Sequence, residues 1–515
     1  MARLLTGMFS LWNSFYVYFT CMFPFCSYVL SLLFSVLGIL LALHMGKHLF
    51  CITGINSSLS LFQSKCMESE SFIAFLPSAS SSKLACHFTN WAQYRPGNSR
   101  FTSDNVDPLL CTHVIYALAT INSFNQISPI EWNDEQQYAR LNSLKNFNPA
   151  LKTLLSVGGS FNGVSPFISM VARPERRAAF INSAISYLRT HNFDGLNLDW
   201  EYPGHNGSPQ EDKARFTLLV KELSKAFEDE AKNTRRTQLL LAANVAAIRS
   251  TIDRAYEVDK ISPYFDFINV LTYDFHGHWE PVTGHNSPLY SSSVDTGSYI
   301  HHNINSSISY WLALGAPAEK LLLGFSTFGR TYRLSSASSS LGALANGPAD
   351  AGPYTRTAGF WAFYEICAFI SSATVQWISE QEVPYATYGS SWVGYDDKRS
   401  FSSKVQWMTA NNLGGAHVWT LDMDDFGGYF CSSGAYPLTN HLRMSMGFIP
   451  KPTTTPGPTT TRNPMDDFCR GRPDGLYANP ADRNTYFQCF QGHTYLHHCQ
   501  PGLIYWDTCK CCNWP

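Results

Sequence analysis

The chain has 515 residues, of which 15% are charged and 14% aromatic, and its formal net charge is −2. This composition excludes a disordered polymer and lacks the basic field that a nucleic-acid partner requires. The length calls for one large domain with additions, or for several domains.

In chain order, the first element is an apolar leader, residues 1–82. From Leu4 to Leu43 it is almost uncharged. Residues 27–43, SYVLSLLFSVLGILLAL, are nearly long enough to span a bilayer. An uncleaved signal anchor, an unusual signal region and a leader foreign to the mature chain all fit. Each sends the rest of the chain out of the cytosol, so a secreted, extracellular protein is expected. A membrane-attached form is expected only if the segment is retained.

Eight short apolar runs follow between 83 and 447: LACHFTN (84–90), CTHVIYALA (111–119), KTLLSVGG (152–159), FDGLNLDWE (193–201), QLLLAANVA (238–246), DFINVLTYD (266–274), KLLLGFSTF (320–328) and GGAHVWTLD (414–422). Most are rich in Leu and β-branched residues without polar alternation, as in strands buried on both faces. Helical patterns lie between several of them. Segments 174–191 and 210–231 carry apolar residues three and four apart, and Pro174 stands where a helix starts. Eight strands alternating with helices predict an α/β fold, a (β/α)8 TIM barrel. The interval of about 329–413 is too long for one crossover and predicts a small inserted α+β lobe.

A Thr/Pro-rich linker, 448–465, reads as extended chain. Residues 466–515 then hold six cysteines: Cys469, Cys489, Cys499, Cys509, Cys511 and Cys512. A core this small needs cross-links, which predicts a disulfide-rich β module. Zinc is the competing reading. Cys86, Cys111, Cys367 and Cys431 could form two further bridges. Asn206 and Asn305 head glycosylation triplets, in keeping with the secretory pathway.

The stretch NFDGLNLDWEYPG (192–204) places Asp194, Asp199 and Glu201 in an otherwise apolar strand. Residues two apart share a face, so Asn197, Asp199 and Glu201 point one way while Leu196, Leu198 and Trp200 point the other. In a parallel barrel the first set faces the interior, with Glu201 at the mouth, where barrel enzymes keep their chemistry. A solvated acidic strand end and a divalent-cation site are the plainer alternatives. Three groups in a straight line give a cation too few convergent ligands. A half-buried Glu beside a second carboxylate instead has its pKa raised, which suits a general acid.

FDGLNLDWEYPG resembles the DGxDxDxE signature of family 18 glycoside hydrolases, the chitinases. SVGG (156–159), LTYDFHGHWE (271–280) and GGAHVWTLD (414–422) resemble their third-, sixth- and eighth-strand motifs. The likeness spans 83–447. The C-terminal module resembles a peritrophin-type chitin-binding domain, and the order of modules resembles that of the vertebrate acidic chitinase and chitotriosidase group.

The resemblance implies hydrolysis of chitin and chitooligosaccharides by a monomer, with neither metal nor cofactor. It makes Glu201 the acid, and the substrate's own acetamide the nucleophile. Asp199 and Asn197 complete the catalytic strand. Tyr273 binds the acetamide carbonyl, Asp274 binds sugar hydroxyls, Trp419 forms the floor, and Trp91 and Trp279 form subsite walls. Asp194 joins the substrate-binding set. In the terminal module Trp506, Trp514 and Tyr505 are the expected stacking residues. Five positions depart from the family pattern. Asn197 replaces a proton-sharing Asp, leaving it able to donate a hydrogen bond to Asp199. Ser160 stands for Trp, Phe328 for Tyr, Thr357 for Glu and His87 for Tyr. A non-hydrolytic chitin-binding lectin on the same scaffold is the alternative. Such lectins typically lose the acid Glu, which is present here.

Overall fold

Each of the eight apolar runs becomes a parallel strand: β1 Lys83–Thr89, β2 His113–Ile121, β3 Lys152–Gly158, β4 Gly195–Asp199, β5 Leu240–Val245, β6 Phe267–Val270, β7 Leu321–Ser326 and β8 Gly415–Trp419. The structure, a computed structural model, describes residues 82–448 and, in the C-terminal part, 468–469, 472–473, 475–480, 482–490, 493–499 and 503–513. The apolar leader up to residue 81, the linker from 449 and Trp514 lie outside the described residues.

β1 pairs with both β2 and β8, so the sheet closes on itself. The result is the expected (β/α)8 barrel. Its interior is layered. Ala85, Ile115, Leu154, Ala242, Phe267 and Leu322 form an apolar plug at one end. Two residues further along, four of these strands present a polar side chain, while β2 presents Ala117 and β7 Gly324. His87, Ser156, Asn197, Asn244, Asn269 and His417 form a middle layer that is almost entirely buried. The next layer holds Asp199 and Trp419. Barrel interiors are ordinarily filled with bulky aliphatic residues, so a polar middle layer sets this one apart.

The outward faces of the strands meet the helices. Pro174–Thr190 begins with its proline in the first turn, where the missing N–H costs nothing. Asp212–Thr234 buries Phe216, Leu219, Val220, Leu223 and Phe227 along one stripe. Trp200 follows the end of β4 and points away from the interior. It stacks on Phe167 at 4.9 Å and meets Phe216 edge-on at 6.1 Å, which anchors the strand that carries the carboxylates.

The inserted lobe is a five-stranded antiparallel sheet, from Phe328–Arg333 to Ser391–Gly394, with the helix Phe363–Ile370. It ends earlier than the sequence suggests. The helix Lys398–Ala410, capped by Asp397, packs Phe401 on Phe325 of β7 and is the crossover into β8. Cys86–Cys111 joins β1 to the loop just before β2, and Cys367–Cys431 joins the lobe helix to the loop after β8.

The C-terminal module contains a three-stranded sheet, Gly475–Ala478, Thr485–Phe490 and His493–His498, and a two-stranded ribbon, Ile504–Trp506 with Cys511–Asn513. Its six cysteines pair as Cys469–Cys489, Cys499–Cys512 and Cys509–Cys511, leaving no thiolate to hold zinc. Trp506 is 40% exposed. Tyr505 departs from expectation. It is only 6% exposed and stacks on Tyr486 at 4.6 Å, so this ring packs the module and offers no face to a sugar.

Candidate active site

β4 delivers Asn197, Asp199 and Glu201 to one side, as alternation requires. Asp199 is buried, and neither of its carboxylate oxygens makes a hydrogen bond within the protein. Burial raises its pKa, and the Asn244 side chain partly offsets the rise. Glu201 lies two residues on, at the mouth. Its pKa is raised by burial first, then by the charges of Asp199 and Asp274, while the Ser160 backbone pulls the other way. Both shifts keep protons on these carboxyls to higher pH than usual.

The two glycines after Ser156 and Val157 explain how β3 fits beside this strand. Gly158 and Gly159 have positive φ, and the Gly159 N–H donates to the Asp199 carbonyl at 2.7 Å. A side chain at either position would have to displace its neighbour.

Two residues of the signature do not act as expected. Asp194 precedes β4 at the opposite end of the barrel. It accepts from the Thr153 N–H at 2.8 Å and pairs with Lys145 at 2.7 Å and Lys152 at 3.7 Å. It pins the strand's entry and lies far along the strand from the cleft, so the substrate-binding assignment is corrected. Asn197 does not donate to Asp199. Its Nδ2 donates to Ser156 Oγ at 2.9 Å, and its Oδ1 accepts from Asn269 Nδ2 at 3.2 Å.

Around the carboxylates lies a cavity of about 280 Å³, lined by Glu201, Tyr273, Asp274, Phe328, Arg330 and Trp419 among others. The Tyr273 hydroxyl is buried without a protein partner and belongs to this wall. Asp274 has φ 58°, is held by Asn286 Oδ1 at its N–H, and pairs with Arg330 Nε at 2.6 Å. Arg330 sits against the rings of Trp279 and Phe360, each 5.2 Å from its guanidinium carbon. Trp279 is 54% exposed on the outer side of this stack. Phe328, lacking a hydroxyl, meets Tyr273 edge-on at 5.7 Å.

Two further cavities also border Trp419. One, of about 370 Å³, is lined by Trp91, Ile130, Ser160, Phe161 and Glu201. The other, of about 300 Å³, is lined by Trp91, Arg95, Tyr354, Arg356, Thr357 and Asp422. Trp419 borders all three cavities, as a floor residue should. Trp91, 39% exposed, borders two. Ser160 leaves Phe161 as the exposed ring on its rim, and Thr357 leaves Arg356 without a neighbouring acid from that position.

Beneath the floor, His87 lies 5.0 Å from the Trp419 ring and 5.6 Å from the His417 ring. Burial pushes the two imidazoles down to about 4 and about 3, so both are neutral at ordinary pH. Arg330, Asn244, Asn269 and His417 were not singled out in the sequence. His417 and Asn244 were within reach, since each stands on the inward alternation of a strand already identified. Arg330 comes from the lobe and carries no local signal.

The sequence profile described as Glycosyl hydrolases family 18 matches residues 83–424. The chain belongs to this family. A second profile, Chitin binding Peritrophin-A domain, matches residues 469–515. Among family 18 proteins, Chitotriosidase-1 of Mus musculus is 46% identical over 448 residues, covering 84% of this chain and 96% of the relative. A solved structure titled "Human YKL-39 is a pseudo-chitinase with retained chitooligosaccharide binding properties" superposes with a TM-score of 0.69 at 44% identity, covering 71% of this chain and all of that one. The Ostrinia furnacalis Group IV chitinase superposes with a TM-score of 0.67 at 36% identity, covering 71% and 99%. Family 18 therefore contains both hydrolases and a pseudo-chitinase at comparable similarity to this chain.

Proposed function

We propose that the protein is a secreted chitinase that cleaves β-1,4 bonds between N-acetylglucosamine units by substrate-assisted, retaining catalysis. One observation carries the reading: Glu201 lines one cavity with Tyr273, Asp274 and Trp419 at the barrel mouth, two residues along β4's line from the buried Asp199.

In this reading the sugar rests on Trp419. Glu201 gives its proton to the glycosidic oxygen as that bond breaks. The acetamide oxygen of the same sugar bonds to the anomeric carbon and forms an oxazolinium ion. Asp199, ionised, orients the acetamide N–H and balances its positive charge, and the Tyr273 hydroxyl donates to the acetamide. Water then attacks the anomeric carbon, gives its proton to Glu201, and restores the acetamide with retained configuration. A sugar lacking the 2-acetamido group cannot follow this path, so the mechanism selects chitin. The terminal module, with Trp506 exposed, holds the catalyst near an insoluble polymer. Five disulfides among the described residues suit an oxidising compartment outside the cytosol.

Asn197 and the pseudo-chitinase neighbour favour a second reading, a chitin-binding lectin. Hydrolysis of a chitin oligosaccharide by the protein and its Glu201→Gln variant separates the two. A hydrolase loses turnover in the variant and keeps binding. A lectin shows binding without turnover in both proteins.

A further inference from the structure

We propose that Asn244 is the positioning residue for Asp199, supplying the hydrogen-bond donor that Asn197 does not. The inference deepens the hydrolytic reading and rests on it for its consequence in turnover.

Four observations converge. First, Asn197 is engaged elsewhere, between Ser156 and Asn269. Second, β4 and β5 pair in parallel with Leu198 opposite Ala243, so Asp199 and Asn244 are the next pair up the ladder, on the interior face. Third, the orientation of the Asn244 amide is set by its neighbours. Asn269 Nδ2 donates to Asn244 Oδ1 at 3.0 Å and to Asn197 Oδ1. His87 Nε2 lies 3.3 Å from the same Asn244 oxygen. A flipped amide would set Asn244 Nδ2 against the Asn269 amide. Fourth, with the oxygen so held, Asn244 Nδ2 is a buried donor without a partner, and the two Asp199 oxygens are buried acceptors without one. Donor and acceptors fall short of ordinary hydrogen-bond geometry at rest. Even so, Asn244 is the side chain that favours the ionised form of Asp199.

Asn244 also lines the cavity with Glu201 and Tyr273, so it meets the region where the acetamide would lie. An Asp199 that must be ionised and correctly turned as positive charge develops needs a donor behind it. A charge-assisted hydrogen bond is the strong kind. A fixed amide serves here because it carries no proton to lose. The groups that titrate around this carboxylate are Glu201, Tyr202, Tyr256 and Tyr273, with Asp274 acting on Glu201. Beneath them His87 and His417 are neutral.

The test compares the full-length protein with Asn244→Ala. Turnover of a chitin tetrasaccharide is measured against pH. In parallel, aspartate carboxyls labelled with carbon-13 are titrated, the Asp199 signal being assigned with Asp199→Asn. The expected result for Asn244→Ala is a fall in kcat of about tenfold or more with little change in KM, and an acidic limb moved up by about one pH unit. The Asp199 titration should move the same way. Should Asn244→Ala not fold, Asn244→Ser keeps a hydroxyl for His87 and Asn269, is too short to reach Asp199, and gives the same readout. An Asp199 titration and pH profile unchanged in a folded variant overturn the inference. A wild-type protein that does not hydrolyse the tetrasaccharide overturns the function instead, and the carboxyl titration then still decides the role of Asn244.

Discussion

A Cβ added to Gly158 would stand 2.3 Å from the Asp199 carbonyl oxygen. The two strands approach closely enough there that only glycine fits, and Gly158 also has φ +115°. Replacing Gly158 with Ala must therefore push the end of β4, and Asp199 with it, away from its place. We expect a loss of about 1–3 kcal/mol in stability. Turnover on a chitin oligosaccharide should fall by more than the unfolded fraction explains, as thermal unfolding and kinetics on the same sample would reveal.

In the hydrolytic reading proposed above, the carboxyl pair fixes the shape of the pH profile. Glu201 acts while protonated, so its raised pKa carries activity upward in pH, and activity is lost as pH rises through that value. Asp199 acts while ionised, so its own raised pKa removes activity as pH falls through it. A bell-shaped dependence of kcat/KM with both limbs above the ordinary carboxylate range is expected. An acidic limb near 4 would show that Asp199 is better solvated than its burial implies.

The same burial has a cost in stability. A carboxyl whose folded pKa exceeds its unfolded value destabilises the fold above the unfolded pKa, and the penalty grows as pH rises toward the folded one. Removing the charge should relieve it. Asp199→Asn is expected to stabilise the protein by about 1–3 kcal/mol at neutral pH, with little gain below about pH 4, while abolishing turnover. Chemical denaturation at the two pH values measures this directly.

Arg330 holds Asp274 by an ion pair and bridges Trp279 to Phe360. Arg330→Ala removes both connections at once. KM for oligosaccharides should rise about threefold to tenfold, about 1 kcal/mol, with a smaller change in kcat, because the acid and its carboxylate partner stay in place. Equal losses in kcat would place Arg330 nearer the chemistry than its position suggests.

Among the described residues of the terminal module Trp506 carries the prediction, since Tyr505 is packed against Tyr486. Trp506→Ala should reduce retention on insoluble chitin several-fold and leave soluble tetrasaccharide kinetics unchanged. Tyr505→Ala should instead destabilise the module.

The barrel was legible because strands buried on both faces leave uninterrupted apolar runs, and all eight were found. The order of side chains on β4 followed from alternation alone. What alternation does not convey is where a strand begins. Asp194 looks like part of an acidic set in the sequence, yet one residue before Gly195 it belongs to the far end, with Lys145 and Lys152. The polar middle layer escaped for a different reason. Its members, His87, Ser156, Asn197, Asn244, Asn269 and His417, come from six strands, one apiece, and only the register of the closed sheet brings them to one level. Tyr505 and Trp506 are neighbours on one short strand, so one faces in when the other faces out, and composition alone did not choose between them.

The Cys367–Cys431 bridge joins the lobe helix to the loop that follows Trp419. Lobe residues just before that helix, Tyr354 to Thr357 and Phe360, and residues of that loop, Thr420, Asp422 and Met423, line one cavity. A covalent rivet between them sets the width of that trough during folding, before any sugar arrives. The entropy of assembling the binding surface is thereby spent once per protein molecule instead of once per encounter. A trough set in advance binds at a smaller entropic cost than one that must close around each ligand.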